Sequence, residues 1–205
     1  ETATALTKPD SFNIDDYMPT IDKYNHTVTA NGGITFGNGS SKLDSFTTTN
    51  SKDVQYLVDG KENKWLKYGL KRSGWVRVSG RDGGYGVVVG DADVKSNIDV
   101  GGHTTGSYSG CTFVVDGNLN LTGELQMRKN SVVIVTGNLT CGKLFMKDGA
   151  RLYVKGNITA NDMSYDGDSN QKIYCGGNAI IPHNLDSSRE FKIGGNLDAH
   201  ELSLT

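Results

Sequence analysis

The densest group of side chains that could do chemistry is a set of cations with two carboxylates close by in the sequence. The cations are Lys143, Lys147, Arg151 and Lys155, and the carboxylates are Asp148 and Asp162. A cation beside a carboxylate can carry out the proton transfers that cleave polysaccharides. That chemistry needs two carboxylates, or a carboxylate and a base, held together, and the spacing defines no such pair. The sequence therefore favours a solvated charged face.

A second group has the spacing of metal ligands. Asp166, Asp168 and Asn170 place oxygen atoms at alternate positions, as the start of a calcium loop does. The glycine and bidentate glutamate that complete such a loop do not follow, so we interpret the segment as a polar turn. The four histidines are scattered, and no Ser-His-Asp, Cys-His or metal-ligand spacing is present. We expect no metal, no cofactor and no catalytic residues.

The three cysteines, Cys111, Cys141 and Cys175, do not form the framework of a disulfide-stabilised domain. Cys141 and Cys175 stand at repeat positions where other units place Leu, Ile, Ala or Val. They are therefore expected to be small buried hydrophobic residues, and a bridge between them is not expected. An odd count leaves one thiol free in any case.

The elements that must position these side chains follow from an internal repeat. The dipeptide Gly-Asn occurs five times at steps of 20, 19, 21 and 18 residues. The pairs are 117–118, 137–138, 156–157, 177–178 and 195–196. A period near 20 residues predicts a solenoid, in which each unit is too small to bury a core alone and stacks on the next.

Apolar pairs stand at fixed positions around each glycine. The unit around Gly137 has Val133 and Val135 before it, Leu139 and Cys141 after it, and Leu144 and Met146 after a short gap. Each pair has period two, so both side chains point to one face of a strand. The frame predicts an all-β fold: a parallel β-helix with three short inward-facing strands per rung. We expect six to seven rungs over residues 75–205 and a right-handed coil, because parallel crossovers prefer that hand.

The Gly-Asn pair is predicted to form the corner of each rung. Glycine reaches positive φ without steric cost, and Asn tolerates the left-handed region better than most residues. Stacked Asn side chains can also hydrogen-bond to each other and to neighbouring backbone. We therefore predict a structural ladder through Asn118, Asn138, Asn157, Asn178 and Asn196.

The pattern weakens towards the N-terminus. Val88, Gly90, Asp91, Ala92, Val94, Ile98 and Val100 match the frame with Asp in the Asn position, and Val76, Val78 and Gly80 match its first third. The Gly-rich insertion 101–110 is predicted to be a loop that leaves the coil. Residues 1–74 are predicted to form an irregular, β-rich N-terminal cap.

Within that cap, strands are predicted at Thr27–Thr29, Ile34–Phe36 and Gln55–Val58. Ile14, Tyr17, Met18 and Ile21 have helical spacing, but Pro19 interrupts it, so we expect at most a short helix there.

One row of apolar residues is predicted to face outward, three positions before each glycine. The row contains Val87, Val114, Ile134, Tyr153 and Tyr174 and ends at Lys192. An apolar row across several rungs is unusual for a soluble surface. Three explanations remain open: residues 1–74 or the insertion cover it, another subunit or surface protein binds there, or Tyr153 and Tyr174 form an aromatic platform for carbohydrate.

The sequence stops within the third strand of a rung, at Leu202-Ser203-Leu204-Thr205, and no capping segment follows. The inward Leu197, Leu202 and Leu204 would have nothing above them. We therefore expect either that the native chain continues, or that the protein self-associates through its C-terminal rung.

Composition narrows the classes of partner. The net charge is −2 and no long basic run occurs, which argues against nucleic acid. No stretch approaches 18 apolar residues, so no membrane span is expected. The chain begins at Glu1 rather than Met, which suggests a mature or trimmed protein that no longer carries any targeting segment it had.

The frame Val-x-Gly-Asn-Leu-x-Leu over residues 86–205 resembles the rungs of bacterial cell-surface β-helix proteins of the adhesin and pilus-associated type. It resembles the bactofilins more loosely, since their repeats are shorter and richer in valine. The resemblance implies a secreted or cell-surface structural or adhesive module, without enzymatic activity, that contacts a polysaccharide or another surface protein. The alternatives are a polysaccharide lyase or hydrolase and a self-polymerising scaffold.

Overall fold

The computed structural model describes residues 12–22, 27–29, 35–36, 55–58, 61–62, 75–78, 85–94, 97–103, 106–107, 110–167, 170–182 and 190–200. These residues are nearly all strand, with essentially no helix, and their parallel sheets stack as a β-solenoid of about 4 turns. The predicted all-β parallel solenoid is therefore confirmed.

One sheet forms the first face of the coil and has the order β21-β19-β17-β15-β12-β7-β4-β5. Its strands are β4 (Gln55–Val58), β5 (Lys61–Glu62), β7 (Tyr85–Val89), β12 (Thr112–Asp116), β15 (Val132–Val135), β17 (Arg151–Val154), β19 (Lys172–Cys175) and β21 (Glu190–Ile193). All pairs from β7 to β21 are parallel. Strand β4 runs antiparallel to both β7 and β5, so a different kind of pairing begins at this edge.

A second sheet closes the coil, with the order β22-β20-β18-β16-β14-β9-β6 and with β13 between β16 and β8. Its strands are β6 (Trp75–Val78), β8 (Ala92–Val94), β9 (Asn97–Val100), β13 (Leu119–Leu121), β14 (Glu124–Met127), β16 (Leu139–Lys147), β18 (Ile158–Asp166), β20 (Ala179–Pro182) and β22 (Leu197–His200). All of these pairs are parallel.

The expectation of three short strands in every rung is wrong for two rungs. In β16 and β18 the second and third segments form one strand of 9 residues. The linker length explains the difference: Gly142 and Lys143 separate the inward Cys141 and Leu144, whereas three residues separate Leu121 from Leu125. With the extra residue the strand breaks into β13 and β14.

Four turns have strands on every face: β7–β9, β12–β14, β15–β16 and β17–β18. Strands β19 and β20, and then β21 and β22, contribute parts of two more turns. Against the predicted six to seven rungs, the described residues form about 4 turns, to which these strands add parts of two more.

The interior of the coil is a single apolar core. Its members are the residues that the frame placed inward, for example Phe113, Leu139, Leu144 and Met163, each at most 1% exposed. Tyr165 and Phe191 are partly buried against it. Alternation along each strand therefore located the core correctly across the described turns.

The region before the coil contains short antiparallel strands. These are β1 (Thr20–Asp22), β2 (Thr27–Thr29) and β3 (Thr35–Phe36), which form one sheet. Strands β2, β3 and β4 confirm the strands predicted at 27–29, 34–36 and 55–58, with Ile34 outside the described residues. The insertion forms a small hairpin of β10 (Gly102–His103) and β11 (Gly106–Ser107). The helical spacing near the N-terminus corresponds to one 3-10 turn, Ile14–Asp16, and its last member, Ile21, lies in β1 instead.

One upstream assignment is wrong. Val76 and Val78 were matched to the first segment of the frame, but β6 pairs with β9, so they stand in the third segment opposite Ile98 and Val100. An apolar pair with period two has the same pattern in all three segments, and only strand pairing distinguishes them.

Several predicted features lie outside the described residues. These include Ile34, Gly80, Asp168, Leu202 and Leu204, as well as the side chain of Leu197. Self-association through the C-terminal rung therefore stays a prediction.

Candidate functional site

The outward apolar row is present, and parallel pairing puts its members in register. Val114 lies beside Ile134, Ile134 beside Tyr153, Tyr153 beside Tyr174, and Tyr174 beside Lys192. We call Val114, Ile134, Tyr153 and Tyr174 the apolar stripe. The rings of Tyr153 and Tyr174 stack, with centroids 5.0 Å apart and planes inclined by 20°.

The apolar stripe is covered by the chain's own residues 12–18, which we call the strap. Ile14 is buried with the stripe, and Phe12, Tyr17 and Met18 pack against the same cluster. Val114 and Ile134 are 0% exposed, and Tyr153 and Tyr174 are 4% and 6% exposed. Of the three explanations, coverage by the N-terminal residues is confirmed. The stripe cannot contact a ligand or partner while the strap is in place.

The local structure of the strap presents its apolar side chains to one side. Asn13 begins the 3-10 turn, and its side chain accepts a hydrogen bond from the N–H of Asp15 at 3.1 Å. The turn brings Ile14, Tyr17 and Met18 to the solenoid and leaves Asp15 and Asp16 exposed. A side chain at Gly176 would press on the Ile14 methyl group, since a Cβ there would lie 2.7 Å from it. The absence of a side chain at Gly176 therefore leaves room for the Ile14 side chain.

Aromatic and charged contacts hold the strap at its edges. The ring of Tyr17 stacks on Tyr174 with centroids 5.1 Å apart, and Phe12 packs on Tyr17 at 5.3 Å. The Lys192 ammonium donates a hydrogen bond to the Tyr17 hydroxyl at 3.0 Å and lies 4.8 Å from that ring's centroid. Lys155 lies 3.7 Å from the Asp15 carboxylate. The strap thus combines an apolar centre with one carboxylate that faces Lys155 and one tyrosine that faces Lys192.

Burial sets the proton affinity of the stacked tyrosines. Burial raises the pKa of Tyr174, and the nearby Glu190 carboxylate raises it further. Burial also raises the pKa of Tyr153, partly offset by Arg151. Hydrogen bonding to Tyr17 raises the pKa of Lys192. Both tyrosines therefore stay neutral at physiological pH and act as packing groups.

Raising the pH above 10 is expected to destabilise the strap and the turns beneath it. The ordinary pKa of tyrosine is 10.0 and the folded-state value of Tyr174 lies higher. Its stabilising contribution is therefore complete below pH 10 and is lost as the pH rises through the folded-state pKa. Urea denaturation at a series of pH values measures the effect. A Tyr174→Phe variant, which lacks the ionising group, should show a shallower decline, and identical profiles would contradict this assignment.

The five Asn residues of the repeat form the predicted ladder. The N–H groups of Asn138, Asn157, Asn178 and Asn196 each donate to the side-chain oxygen of the Asn one rung below, at 2.8 Å in every case. Asp91 starts the series by accepting from the N–H of Asn118 at 2.8 Å. The side-chain oxygens are used for cohesion between rungs, which supports the structural interpretation.

The predicted positive φ of this corner is confirmed at Gly90 and Gly117, with φ of 108° and 158°, and is wrong for the ladder Asn residues and for the later corner glycines. Among the described residues the one non-glycine residue with positive φ is Asn130, so no ladder Asn adopts it. Gly137, Gly156, Gly177 and Gly195 are required for space: a Cβ at each would overlap the ladder oxygen of Asn118, Asn138, Asn157 or Asn178, respectively. The N–H of each glycine also donates to the glycine carbonyl one rung below, at 2.8–2.9 Å.

Positive φ angles also occur at the corner between the third segment and the next rung. They are found at Gly110, Asn130, Gly149 and Gly167, with φ of 79°, 57°, 72° and 98°. Sequence reasoning missed this second corner, although glycine or Asn recurs there at steps near 20 residues. Asn170 belongs to it, because its side-chain oxygen accepts from the N–H of Gly149 at 2.8 Å.

Replacing Asn157 with valine is expected to lower the free energy of unfolding more than replacing Thr159 with valine. The first change leaves the N–H of Asn178 without its protein acceptor, whereas Thr159 points away from the core. Since the site is exposed to water, the difference should be about 1 kcal/mol. Thermal denaturation of both variants measures it, and equal melting temperatures would remove the energetic argument for the ladder.

The charged groups pair across rungs. Lys143 stands in register between Glu124 and Asp162. Lys147 lies 3.6 Å from Asp166, and Lys172 lies 3.2 Å from Glu190. Within the described part of the chain, no group of three or more His, Cys, Asp or Glu residues could hold a metal ion. These contacts favour a solvated charged face. The predicted polar turn at 166–170 includes Asp168, which lies outside the described residues, so it stays a prediction.

A buried ion pair was not anticipated from the sequence. Asp99 is only 4% exposed although it points away from the core. Arg128 binds it with two parallel hydrogen bonds, Nε to Oδ1 at 3.0 Å and Nη2 to Oδ2 at 3.1 Å. This geometry joins two neighbouring turns of the coil and raises the pKa of Arg128.

Cys141 and Cys175 are buried and form no disulfide, as expected, and Cys111 is buried as well. Burial raises the pKa of Cys141 to about 12 and that of Cys175 to about 11. Both therefore remain thiols near neutral pH, and the chemistry of a thiolate nucleophile is not available to them.

Comparison with known proteins gives no family: no protein-family model matches the chain, and no curated protein or solved structure matches it either. The resemblance to cell-surface β-helix proteins therefore rests on the rung frame alone. No helix in the described ranges is long and apolar enough to cross a membrane.

Proposed function

We propose that the chain is a secreted or cell-surface β-helix module with a structural or adhesive role and no catalytic activity of its own. The ladder of Asn118, Asn138, Asn157 and Asn178 is the observation that supports this proposal most directly. Polar side chains that could bind or transform a substrate instead connect one rung to the next. The repeated rung frame, which resembles that of surface proteins, supports the extracytoplasmic location.

Cross-rung contacts make the module suited to carry load along its axis. Stacked rungs about 4.8 Å apart are joined by a continuous backbone ladder on each face. The Asp99–Arg128 pair and the ion pairs of Lys147 and Lys172 add side-chain links on the outside. A stalk or spacer that holds a partner away from a surface needs this stiffness.

The surface that supports an adhesive role is the outward row of the second sheet. Asp93, Asn120, Thr140, Thr159 and Ile180 stand in register across five turns. Asn120 donates to Asp93 at 3.0 Å, and Ile180 is 42% exposed. Hydroxyl, amide and carboxylate groups repeated at the strand spacing, beside an exposed apolar side chain, suit the hydroxyls and apolar faces of a polysaccharide. The tyrosine platform is covered, so this row is the better candidate.

A glycan array measured with the purified chain tests the proposal. Binding that is lost in an Asn120→Ala, Thr140→Ala double variant, but kept in a Lys143→Ala variant on the third segment, would support adhesion through this row. Binding to none of the glycans would favour a purely structural module or a protein partner.

Catalysis is tested separately by incubating the chain with plant and bacterial polysaccharides. We expect no new reducing or unsaturated sugar ends. Their release at a rate proportional to protein concentration, and its loss in a Lys143→Ala, Lys147→Ala double variant, would replace this proposal with a polysaccharide-cleaving enzyme.

A further inference from the structure

The contact between the strap and the apolar stripe is a complete recognition site formed within one chain. The strap packs in one apolar cluster with Val114, Ile134, Tyr153 and Tyr174, and Tyr17 of the strap also contacts Lys192 of β21. The surface leaves room for the Ile14 side chain at Gly176, which we call the Gly176 socket, and the Tyr17 ring stacks on that of Tyr174. Lys155 pairs with the Asp15 carboxylate, and Lys192 donates to the Tyr17 hydroxyl.

We propose that the apolar stripe is a docking surface for the strap of a second copy of this chain, so that copies can be linked by exchange of residues 12–18. This inference goes beyond the proposed function and does not depend on whether the module binds carbohydrate. When two copies exchange straps, each strap makes the same contacts that it makes on its own chain. Exchange therefore costs little free energy beyond the entropy of association.

The strap is attached by side chains, which makes it separable. The described backbone hydrogen bonds of the strap stay within it, from Asp16 to Asn13 and from Tyr17 and Met18 to Ile14. The strap can therefore keep its 3-10 turn when it detaches from the stripe. No backbone hydrogen bonds between rungs of the solenoid have to break. A segment held by a few anchor side chains opens at much lower free energy than the core strands do.

The position of the strap in the sequence also favours exchange. Residues 19–54 separate it from β4, the first described strand that pairs with the solenoid, and its contacts are made by residues 114–192. The effective concentration of a tethered segment at its own site falls as the tether lengthens. The strap of a second copy can therefore compete for the apolar stripe once the protein concentration approaches this effective concentration. The uncovered stripe is an apolar patch across four turns that needs an occupant.

A labelled peptide of residues 11–20, Ser-Phe-Asn-Ile-Asp-Asp-Tyr-Met-Pro-Thr, tests the docking surface by fluorescence anisotropy. An Ile14→Asp variant of the full chain should release its own strap, because a carboxylate would lie in the socket at Gly176. We expect the peptide to bind this variant at least about tenfold more tightly than the unaltered chain, whose site is mostly occupied. A Tyr17→Ala variant should act in the same direction and serves if Ile14→Asp does not fold. A peptide that carries the Ile14→Asp change should bind neither.

Exchange between copies is tested with an Asp15→Cys chain and a Lys155→Cys chain, which are unfolded together, refolded and oxidised. Asp15 and Lys155 are neighbours in the strap contact, so a disulfide between the two chains reports a strap docked on its partner. The native thiols are buried, and a Thr140→Cys chain on the exposed second sheet replaces Lys155→Cys as the control. We expect several times more cross-linked dimer than with the control. Dimer at the control level would overturn the proposal, whatever the peptide does, and so would equal peptide binding to the variants and the unaltered chain.

Discussion

Replacing Arg128 with alanine is expected to lower the free energy of unfolding by about 3 kcal/mol. The change removes two hydrogen bonds of 3.0 and 3.1 Å from Asp99, whose side chain is only 6% exposed. A carboxylate left buried without its guanidinium partner costs more than the pair contributes, because desolvation is then uncompensated. The value lies at the lower end for a buried pair, since the Arg128 side chain is 26% exposed and water reaches the site. Urea denaturation measures the loss.

A double variant makes this prediction specific. Changing Asp99 to asparagine in the Arg128→Ala background removes the buried charge and should recover at least half of the loss. An Arg128→Lys change keeps a positive charge without the bidentate geometry. Its free energy of unfolding should therefore lie between those of the unaltered chain and of Arg128→Ala. If the double variant is no more stable than Arg128→Ala alone, the lost stability comes from the packing of the arginine side chain. It does not then come from the unpaired charge of the Asp99 carboxylate.

Replacing Gly156 with valine is expected to destabilise the coil by a comparable amount, about 3 kcal/mol. A side chain there would overlap the ladder oxygen of Asn138 and lie 2.7 Å from the Gly137 carbonyl oxygen. Either the corner widens or Asn138 turns away and leaves the N–H of Asn157 without its acceptor. Overpacking and a lost backbone partner each cost about 1–3 kcal/mol.

Gly110 provides the matched control for this change. A Cβ at Gly110 would meet nothing within 4 Å, and its φ of 79° lies in the region that Asn tolerates. A Gly110→Asn variant should therefore change the melting temperature little, whereas Gly156→Val should lower it by several degrees. Equal melting temperatures would show that glycine at the ladder corner is not required for space.

Much of the coil could be predicted because its rules are local. The inward positions of Val133, Leu139 and Leu144 follow from alternation along a strand. The ladder follows from Asn at a constant place in the frame. Even the long strands β16 and β18 could have been predicted, because their segments are joined by one residue fewer than those of β13 and β14.

The conformation of the corners was harder to predict because two explanations fit the same dipeptide. Glycine before Asn is compatible with a positive φ or with a close approach of neighbouring rungs. Only the stacking shows that the Asn118 oxygen lies where a Cβ of Gly137 would stand. The assignment of Val76 and Val78 failed for a related reason, since strand pairing and not the local pattern decides the face.

The repeat in the sequence is enough to predict a parallel solenoid, its inward residues and an apolar row across its outside. Repetition carries this information, because every turn repeats the same short-range requirement. The three-dimensional structure was needed to show that Phe12, Ile14 and Tyr17 pack over the row and that Asp99 pairs with Arg128. Those contacts join residues that no period relates, so their partners are determined by shape and charge in three dimensions.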